Sequence, residues 1–516
     1  MSESRVQKSL LNAKVNLIFY VLTLFLSFFS RKIFLDCLGA DFIGLSGTLQ
    51  NLLGFLSLAE LGVGAAIAYA LYSPLYDNDQ QKVREIISVF AYLYRWVGLI
   101  ILALGGVLAC FLPLFFSSSG FDLGAVYAVY ISFFVSSLIG YFVNYKQTLL
   151  IADQRNYVVV ACYQGISIIK IIVQLVSAWY TRNFYLWAGI ELLFGIVYSI
   201  VLNRWIDETY PWCGCMDISG RLLLKKYPQI VTHAKQAFVH KIGAVIQWQS
   251  APLLVYAFVN LSTVALYSNY TIVIDKLMLL VRCVLDSTNA GVGNLIAENN
   301  ERKIKTVFKE LLIFRLFICG VLVFSLLKLM SPFIVIWLGA EYVLADIVLV
   351  IILFNATSTI VRGCMDQFLY GGGLFRDIWA PIFEGVVNII ASLYLGSMYG
   401  LPGVLGGASI THLCITYIWK PYFLFKSKFK ALPLSFYGCI VISIGVTLVS
   451  SYCADSALMK LGINALPDTF LSWVFFAVCS TLLYCSISLL LNVMLFSEMR
   501  TFSCRFFALM YRNQQC

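Results

Sequence analysis

Three charged residues share one face of a long apolar segment near the middle of the chain. Asp275, Arg282 and Asp286 are spaced so that they fall within roughly 20° of one line on an α-helix. Lys276 adds a further charge beside them. Lipid cannot solvate such a face, so it must contact other helices or a water-filled cavity. Two roles are open: the acids neutralise Arg282 and lock helices together, or the stripe binds a charged solute.

Single charges in other apolar segments extend the set of candidate residues. Glu60 lies in the inner half of the stretch from Phe42 to Tyr72, where a charge is costly unless it faces protein, a partner or water. Arg95 and Arg315 lie deep enough in their segments to need a partner, so they either pair with acids such as Glu60 or line a cavity. Glu384 has no obvious partner in its own segment, which makes it a candidate proton or cation site.

Two further sets of intramembrane charges have candidate partners. Arg362 and Asp366 are four residues apart, a spacing that favours a structural pair on one helix. Lys170 and Glu191 lie in successive apolar segments and could pair with each other.

These charges are exceptions in a strongly apolar chain. Of the 516 residues, 60% are hydrophobic and 12% are charged, with a mean hydropathy of +0.86; a soluble protein is about a quarter charged. The residues from Asn12 to Ser30 form a full-length apolar span, not a cleavable signal. The net charge of +10 is explained by basic loops on the cytoplasmic side, without nucleic acid as a partner.

The stretch from Phe42 to Tyr72 is predicted to be one long, tilted or bent transmembrane helix. The sequence as a whole predicts fourteen spans, at about 12–38, 42–72, 84–116, 122–150, 156–180, 184–205, 236–260, 263–296, 304–330, 342–370, 376–399, 402–425, 434–454 and 469–496. With this topology, 25 lysines and arginines lie on the side of the termini, Lys420 among them, and four on the other. The positive-inside rule therefore places both termini in the cytoplasm.

A weak internal repeat relates the two halves of the chain. Asp41–Gly47 aligns with Ser262–Ser268 at an offset of 221, and Gln81–Ile87 then aligns with Arg302–Phe308. After one residue of slippage, Arg95 aligns with Arg315. The elements are an even number of helices apart, so both halves have the same orientation, an arrangement that recurs in transporters.

The predicted fold class is therefore an all-α polytopic membrane protein with two pseudo-symmetric six-helix bundles plus two C-terminal helices. The predicted domains are residues 1–206, a cytoplasmic linker at 207–235, residues 236–427, and the extra helices with a tail at 428–516. Residues 218–234 of the linker are either an interfacial amphipathic helix or a solvated connection.

No catalytic arrangement is found in the sequence. None of the three histidines lies in a metal motif, and no phosphate-binding Walker A sequence occurs. We therefore predict neither enzyme activity, nor a cofactor, nor a metal site.

The N-terminal segment resembles a known family. The residues that carry the resemblance are Arg31, Phe34, Leu38, Gly39, Gly44, Leu45, the run LSLAELGVG from Leu56 to Gly64, LYSPLYDND from Leu71 to Asp79, and a second patch from Gln147 to Tyr157. This pattern is similar to the bacterial polysaccharide transporters, the Wzx-type lipid-linked oligosaccharide flippases of the multidrug/oligosaccharidyl-lipid/polysaccharide (MOP) superfamily. Beyond Tyr157 the resemblance lies in hydropathy and helix count.

The resemblance implies a MOP/MATE-like fold in the bacterial inner membrane. It also implies a flippase that moves an undecaprenyl-diphosphate-linked oligosaccharide to the periplasmic leaflet by alternating access, for O-antigen of lipopolysaccharide, capsule or exopolysaccharide. Membrane lipids and other polysaccharide-assembly membrane proteins would be its partners. Proton or sodium coupling is compatible with this activity, with Glu60, Asp286 or Glu384 as carriers.

The candidate substrate-binding residues are Arg31, Glu60, Arg95, Asp275, Lys276, Arg282, Asp286 and Arg315. Arginine suits this substrate because its planar donors match phosphate oxygens in pairs. For Arg31 two interpretations remain: it extends to the headgroups together with Lys32, or it faces the cavity and meets phosphate.

Two other functions are weighed against the flippase. A MATE-type cation-coupled multidrug antiporter should favour an acidic, aromatic cavity, and the arginines argue against it. A membrane polysaccharide polymerase or ligase needs a sizeable periplasmic loop, and no predicted periplasmic interval exceeds Cys453–Asp468.

Overall fold

A computed structural model of the chain describes residues 5–60, 62–117, 119–213, 220–286, 288, 292, 295, 296, 298, 300–372, 374, 377, 379–462 and 469–501. These residues are almost entirely helical, with no strand among them. Twelve of their helices are long and apolar enough to cross a membrane. The predicted class of an all-α polytopic membrane protein is confirmed.

Unit 1, the first of two compact units, comprises Met1–Ala265 and Pro381–Gly385. Its helices are α1 (Arg5–Leu38), α2 (Ala40–Leu56), α3 (Val63–Tyr76), α4 (Gln80–Phe115), α5 (Leu123–Phe142), α6 (Gln147–Ala152), α7 (Asn156–Thr181), α8 (Phe184–Thr209), α9 (Gly220–Lys226), α10 (Pro228–Phe258) and the start of α11 (Leu261–Asp286). Helix α1 packs on α7, α5 packs on α4 and α8, and α10 packs on α2 and α3. Phe42 is fully buried, with its ring stacked 4.6 Å from Phe184 and edge-on to Trp187.

Unit 2 comprises Leu266–Ala380 and Val386–Cys516. After the rest of α11 its helices are α12 (Glu301–Trp337), α13 (Asp346–Gly371), α14 (Trp379–Tyr399), α15 (Leu401–Phe429), α16 (Leu434–Lys460) and α17 (Phe470–Leu495). Helix α12 is central, because α13, α16 and α17 all pack on it. Phe324 of α12 stacks on Tyr484 of α17 at 4.4 Å, and Lys328 pairs with Asp455 of α16 at 2.7 Å. The four-part domain division of the sequence analysis stays a prediction.

The stretch predicted as one long transmembrane helix is bent so sharply that it forms two helices. Helix α2 ends at Leu56, a 3₁₀ turn follows at Ser57–Glu60, and α3 begins at Val63. Gly62 has a φ of 92°, a left-handed conformation that favours glycine. The alternative of a continuous tilted helix is therefore wrong. This broken stretch and α10 are the two predicted crossings that are not among the twelve helices above.

The starts of four helices support the internal repeat that relates the two halves of the chain. Ala40 and Leu261, which begin α2 and α11, are 221 residues apart, and so are Asp79 and Asn300, which precede α4 and α12. The Asp79 carboxylate accepts a hydrogen bond from the Lys82 backbone N–H at 3.0 Å. The Asn300 side chain accepts the same bond from Lys303 at 3.1 Å. Equivalent residues therefore cap equivalent helices.

Part of the predicted linker, residues 220–227, packs on α4. Lys226 and Tyr227 both contact the buried Glu85 carboxylate, with donor–acceptor distances of 2.6 Å. Gly220 lies so close to Ser88 that a Cβ would be 2.3 Å from its carbonyl oxygen. Residues 218 and 219 of the predicted amphipathic helix lie outside the described residues, and the rest is divided between α9 and α10.

Candidate functional site

Glu60 lies at the break between α2 and α3, where it is the last residue of the 3₁₀ turn. The Tyr94 hydroxyl of α4 donates a hydrogen bond to Glu60 Oε1. Tyr141 of α5 lies beside this pair, with its ring 5.6 Å from the Tyr94 ring. Gly64 permits the approach of Tyr94, because a Cβ there would be 3.3 Å from the Tyr94 hydroxyl. The turn before α3, together with α4 and α5, therefore places one carboxylate near two phenols.

This arrangement has the chemistry of an ion or proton site. Breaks in transmembrane helices leave half-helix ends and unwound backbone at membrane depth, which transporters use to bind substrates and coupling ions. A carboxylate that accepts a hydroxyl donor is held in position, and protonation would change its hydrogen-bond role. Glu60 is the only predicted ion-coupling residue that the structure sets at such a break, within the described part of the chain.

Arg95 is next to Tyr94 along α4 but points elsewhere. Tyr94 is 6% exposed, whereas Arg95 and Trp96 are exposed. No ion pair or hydrogen bond joins the Arg95 guanidinium to the described residues. A guanidinium left in this state in a membrane-spanning helix requires water or an anionic ligand.

Arg31 contacts the start of α11. Its Nη2 donates a hydrogen bond to the backbone oxygen of Ala265 at 3.0 Å, and the side chain is half-buried. Lys32, the next residue, is exposed. The contact anchors α1 to α11 within unit 1, and whether Arg31 also reaches phosphate stays a prediction.

The charged stripe on α11 is exposed along its length. Asp275, Arg282 and Asp286 are all exposed, while Ile274 and Leu285, roughly 90° away around the helix, are buried. Lys276, also predicted as a site residue, is half-buried. Whether this stripe binds a charged solute or locks helices together stays a prediction.

Arg315 and Glu384 are both buried. Arg315, 3% exposed, donates hydrogen bonds to the Ile360 carbonyl at 3.1 Å and to Gln367 Oε1 at 3.2 Å, both on α13. These contacts brace α12 against α13, and whether Arg315 also binds substrate stays a prediction. Glu384 is 4% exposed on α14, and its role in ion coupling stays a prediction.

The two ion pairs proposed from sequence are both present. Lys170 Nζ lies 2.6 Å from Glu191 Oε1, and Gln174 donates to the other oxygen of that carboxylate at 3.0 Å. Arg362 Nε lies 3.2 Å from Asp366 Oδ2.

A larger charge cluster surrounds this second pair, and the sequence analysis missed it. Lys420 was counted among the basic residues outside the membrane, but it lies within α15 and is 2% exposed. Its Nζ is 2.8 Å from both Asp366 and Asp377. We call Arg362, Asp366, Asp377 and Lys420 the four-charge cluster. A lysine can be buried only when its charge is balanced, and here two carboxylates do so.

A π-helical segment, His412–Trp419, directly precedes Lys420. Such segments are rare and frequently occur at functional sites. His412 within it is 2% exposed, and its Nδ1 lies 3.3 Å from Thr416 Oγ1. No signal in the sequence marks this change of helix type; the glycines at 402–407 and Pro421 flank it without specifying it.

Comparison with known proteins identifies the fold. No protein-family model matches the sequence, and no curated protein matches it. A solved structure of the lipid II flippase MurJ, in an inward closed conformation, is similar with a TM-score of 0.64 and 15% sequence identity, over 93% of this chain and 98% of that one. An inward-facing multidrug resistance MATE family transporter of the MOP superfamily is similar with a TM-score of 0.58 and 16% identity, over 80% of this chain and 98% of that one.

Proposed function

We propose, from this shared MOP superfamily fold, that the chain is a flippase for a lipid-linked oligosaccharide. The cargo would be a polyprenyl-diphosphate-linked glycan, moved between leaflets of the bacterial inner membrane by alternating access, for surface polysaccharide synthesis. Both termini would lie in the cytoplasm, as the distribution of basic residues predicts. Membrane lipids and other polysaccharide-assembly membrane proteins would be the partners.

The observation that carries this proposal is the exposure of two arginines in membrane-spanning helices. Arg95 lies exposed near the middle of α4, and Arg282 lies exposed in α11, four residues before that helix ends at Asp286. Exposed guanidinium groups at such positions are expensive unless water or an anion solvates them. A diphosphate offers oxygens that guanidinium donors bind in pairs. The acids Asp275 and Asp286 keep the α11 face balanced, which suits a cargo with both an anionic diphosphate and a neutral glycan.

A second candidate function is cation-coupled drug export, and Glu60 favours it. Its carboxylate and the rings of Tyr94 and Tyr141 form an acidic, aromatic group, as expected for binding organic cations. In the flippase, the same group would carry the coupling proton or sodium ion. The two functions therefore assign different ligands to the Glu60 site: an organic cation in the antiporter, and a coupling proton or sodium ion in the flippase.

Transport by the purified protein in liposomes separates these functions. A fluorescent polyprenyl diphosphate that bears a short oligosaccharide would be placed in one leaflet, and its transfer measured by a membrane-impermeant quencher. We expect transfer that falls at least tenfold in Arg95→Ala and Arg282→Ala. Arg182→Ala, which removes an exposed arginine beyond the end of α7, is the matched control. Failure to move this lipid, together with proton- or sodium-driven uptake of an organic cation, would establish the antiporter instead.

A further inference from the structure

A cavity of about 540 Å³ opens at one end of unit 1. This volume lies within the range of about 300–1,000 Å³ that is typical of small-molecule sites. The helix starts of α2 and α11 and the helix ends of α4 and α10 meet around it. The residues of its lining that matter here are Asp41, Phe115, Ser119, Tyr256, Asn260 and Ser262.

The walls of this cavity are fixed by close packing. Helix α2 approaches the start of α11 so closely that a Cβ on Gly44 would lie 1.9 Å from the Leu261 oxygen. Tyr256 stacks on the buried Phe116 with ring centroids 5.1 Å apart and planes 15° apart. Its hydroxyl donates to the Phe115 carbonyl at 2.7 Å. The Tyr256 ring is therefore held in a set orientation at the cavity wall, as a binding surface requires.

The polar groups of the cavity supply both hydrogen-bond acceptors and donors. Asp41 is exposed in the first turn of α2, with no hydrogen bond or ion pair to its carboxylate among the described residues. Asn260 uses its Oδ1 to accept from Thr263 N and Oγ1, at 2.7 and 2.8 Å. This contact fixes the amide orientation and leaves the Nδ2 group as a donor. The Ser262 hydroxyl can serve either role.

We propose that this cavity binds one sugar residue of the cargo's glycan, a neutral or N-acetylated hexose. A sugar ring presents C–H groups on its face, which pack on an aromatic ring, and hydroxyls at its edge, which need donors and acceptors together. Asp41, Asn260 and Tyr256 supply these three kinds of contact. Among the described residues no lysine or arginine lines the cavity, so the Asp41 carboxylate disfavours both the diphosphate and acidic sugars.

The position of the cavity indicates at which stage of transport the sugar would bind. The cavity lies at the end of unit 1 opposite to the start of α4. The distribution of basic residues predicts that this end faces the periplasm. The sugar is therefore held where the glycan leaves the protein, after the diphosphate has crossed. This step rests on the proposed flippase function.

Saturation-transfer difference NMR tests the binding directly, with full-length protein in detergent. The probes are the methyl glycosides of glucose, galactose, N-acetylglucosamine, N-acetylgalactosamine and glucuronic acid. We expect saturation of at least one neutral or N-acetylated glycoside and none of the glucuronide. Asp41→Asn and Asn260→Ala should each weaken binding about tenfold, because the first replaces a charged acceptor by a neutral amide and the second removes the Nδ2 donor. Asp36→Asn, which changes an exposed carboxylate near the end of α1 outside the cavity, is the matched control.

Two results would overturn the site: no saturation of any glycoside, or binding that is equal in wild type, Asp41→Asn and Asn260→Ala. Melting temperatures of the variants exclude unfolding as the cause of lost binding, and Asn260→Ala serves alone if Asp41→Asn is unstable. The liposome assay reports on the proposed function separately. Lipid transfer without glycoside binding removes the cavity but keeps the flippase, whereas glycoside binding without lipid transfer removes the flippase.

Discussion

Two stretches of the chain with equivalent positions in the repeat differ in build. Ala40–Tyr76 forms two helices with a 3₁₀ turn between them, whereas Leu261–Asp286 is one continuous helix. Five glycines of the first stretch have other residues at an offset of 221. Gly44, Gly47, Gly54, Gly62 and Gly64 correspond to Ala265, Ser268, Asp275, Cys283 and Leu285. The second stretch has no glycine at these positions. Cys283, the equivalent of Gly62, does not favour a left-handed conformation, so the helix continues without a break.

The difference between these stretches decides how each one carries charge. The broken stretch holds a single carboxylate, Glu60, at its turn, where Tyr94 reaches it. The continuous helix distributes Asp275, Arg282 and Asp286 along one exposed face. In the proposed transport cycle, the break would give a defined point for an ion, whereas the regular helix would give a row of charges along which a charged group can move.

The matched arginines show the same divergence. Arg95 is exposed, but Arg315, its equivalent after one residue of slippage, is 3% exposed and bound to α13. Equivalent positions of the repeat therefore carry an exposed arginine in one half and a bracing arginine in the other.

The largest effect should come from Arg315. In Arg315→Ala, the Ile360 carbonyl and the Gln367 amide lose their donor in a buried place, which should lower the free energy of unfolding by about 3 kcal/mol. Arg95→Ala should leave stability within about 0.5 kcal/mol, since the side chain is exposed. Thermal melting in detergent and membrane abundance measure both. Equal stability losses in the two variants would contradict the contrast between the matched arginines.

Arg282 tests whether the exposed stripe contacts the cargo. Arg282→Lys keeps the charge but loses the planar donors, so lipid transfer should fall partly, while Arg282→Ala should reduce it at least tenfold, or about 1.4 kcal/mol. Membrane abundance and surface polysaccharide are measured together. The matched control is the triple variant Asp275→Ala/Arg282→Ala/Asp286→Ala. Recovery of polysaccharide in the triple variant, or normal levels in the single one, would leave Arg282 as part of a structural ion cluster.

Gly62 and Cys283 provide a reciprocal exchange at equivalent positions. Gly62→Ala places a Cβ in a left-handed conformation and should cost about 1–2 kcal/mol. Cys283→Gly weakens a regular helix and should cost about 1 kcal/mol. Melting temperature reports both losses. Only Gly62→Ala should also alter transport, because it displaces Glu60 from Tyr94; an unchanged transport rate in stable Gly62→Ala protein would remove the break from the mechanism.

The smallest effects should be those of the two helix caps, and they should be equal. Asp79→Ala and Asn300→Ala each remove one bond to the first turn of α4 or α12, at a cost of about 1 kcal/mol. Chemical unfolding measures the loss. Asp77→Ala, which removes an exposed carboxylate two residues before the Asp79 cap, is the control. A loss in one variant only would show that the caps are not equivalent and would weaken the repeat.

The sequence predicted those features of the fold that depend on local pattern. Hydropathy located the helices, and the offset of 221 identified the equivalent starts at Ala40 and Leu261. The pair Arg362–Asp366 followed from helical spacing alone.

Features that depend on distant contacts could not be predicted. Tyr94 is 34 residues from Glu60, and no periodicity relates them. Lys420 precedes other lysines near the end of α15, so its charge indicated a loop; burial was possible only because Asp366 and Asp377 reach it from other segments. Residue type does not distinguish Gly62 from the other glycines of that stretch, so the sequence could not show which of them forms the left-handed turn.

The four-charge cluster has a consequence for how this chain can change over evolutionary time. Asp366 is shared by Arg362 and Lys420, and Lys420 is shared by Asp366 and Asp377. Loss of any one member leaves an uncompensated buried charge, which is far more damaging than loss of them all. Single substitutions here should therefore be eliminated by selection, and the four positions should be inherited as a block. Homologous chains should carry either the whole set of charges or an apolar replacement of the whole set, with few intermediates between them.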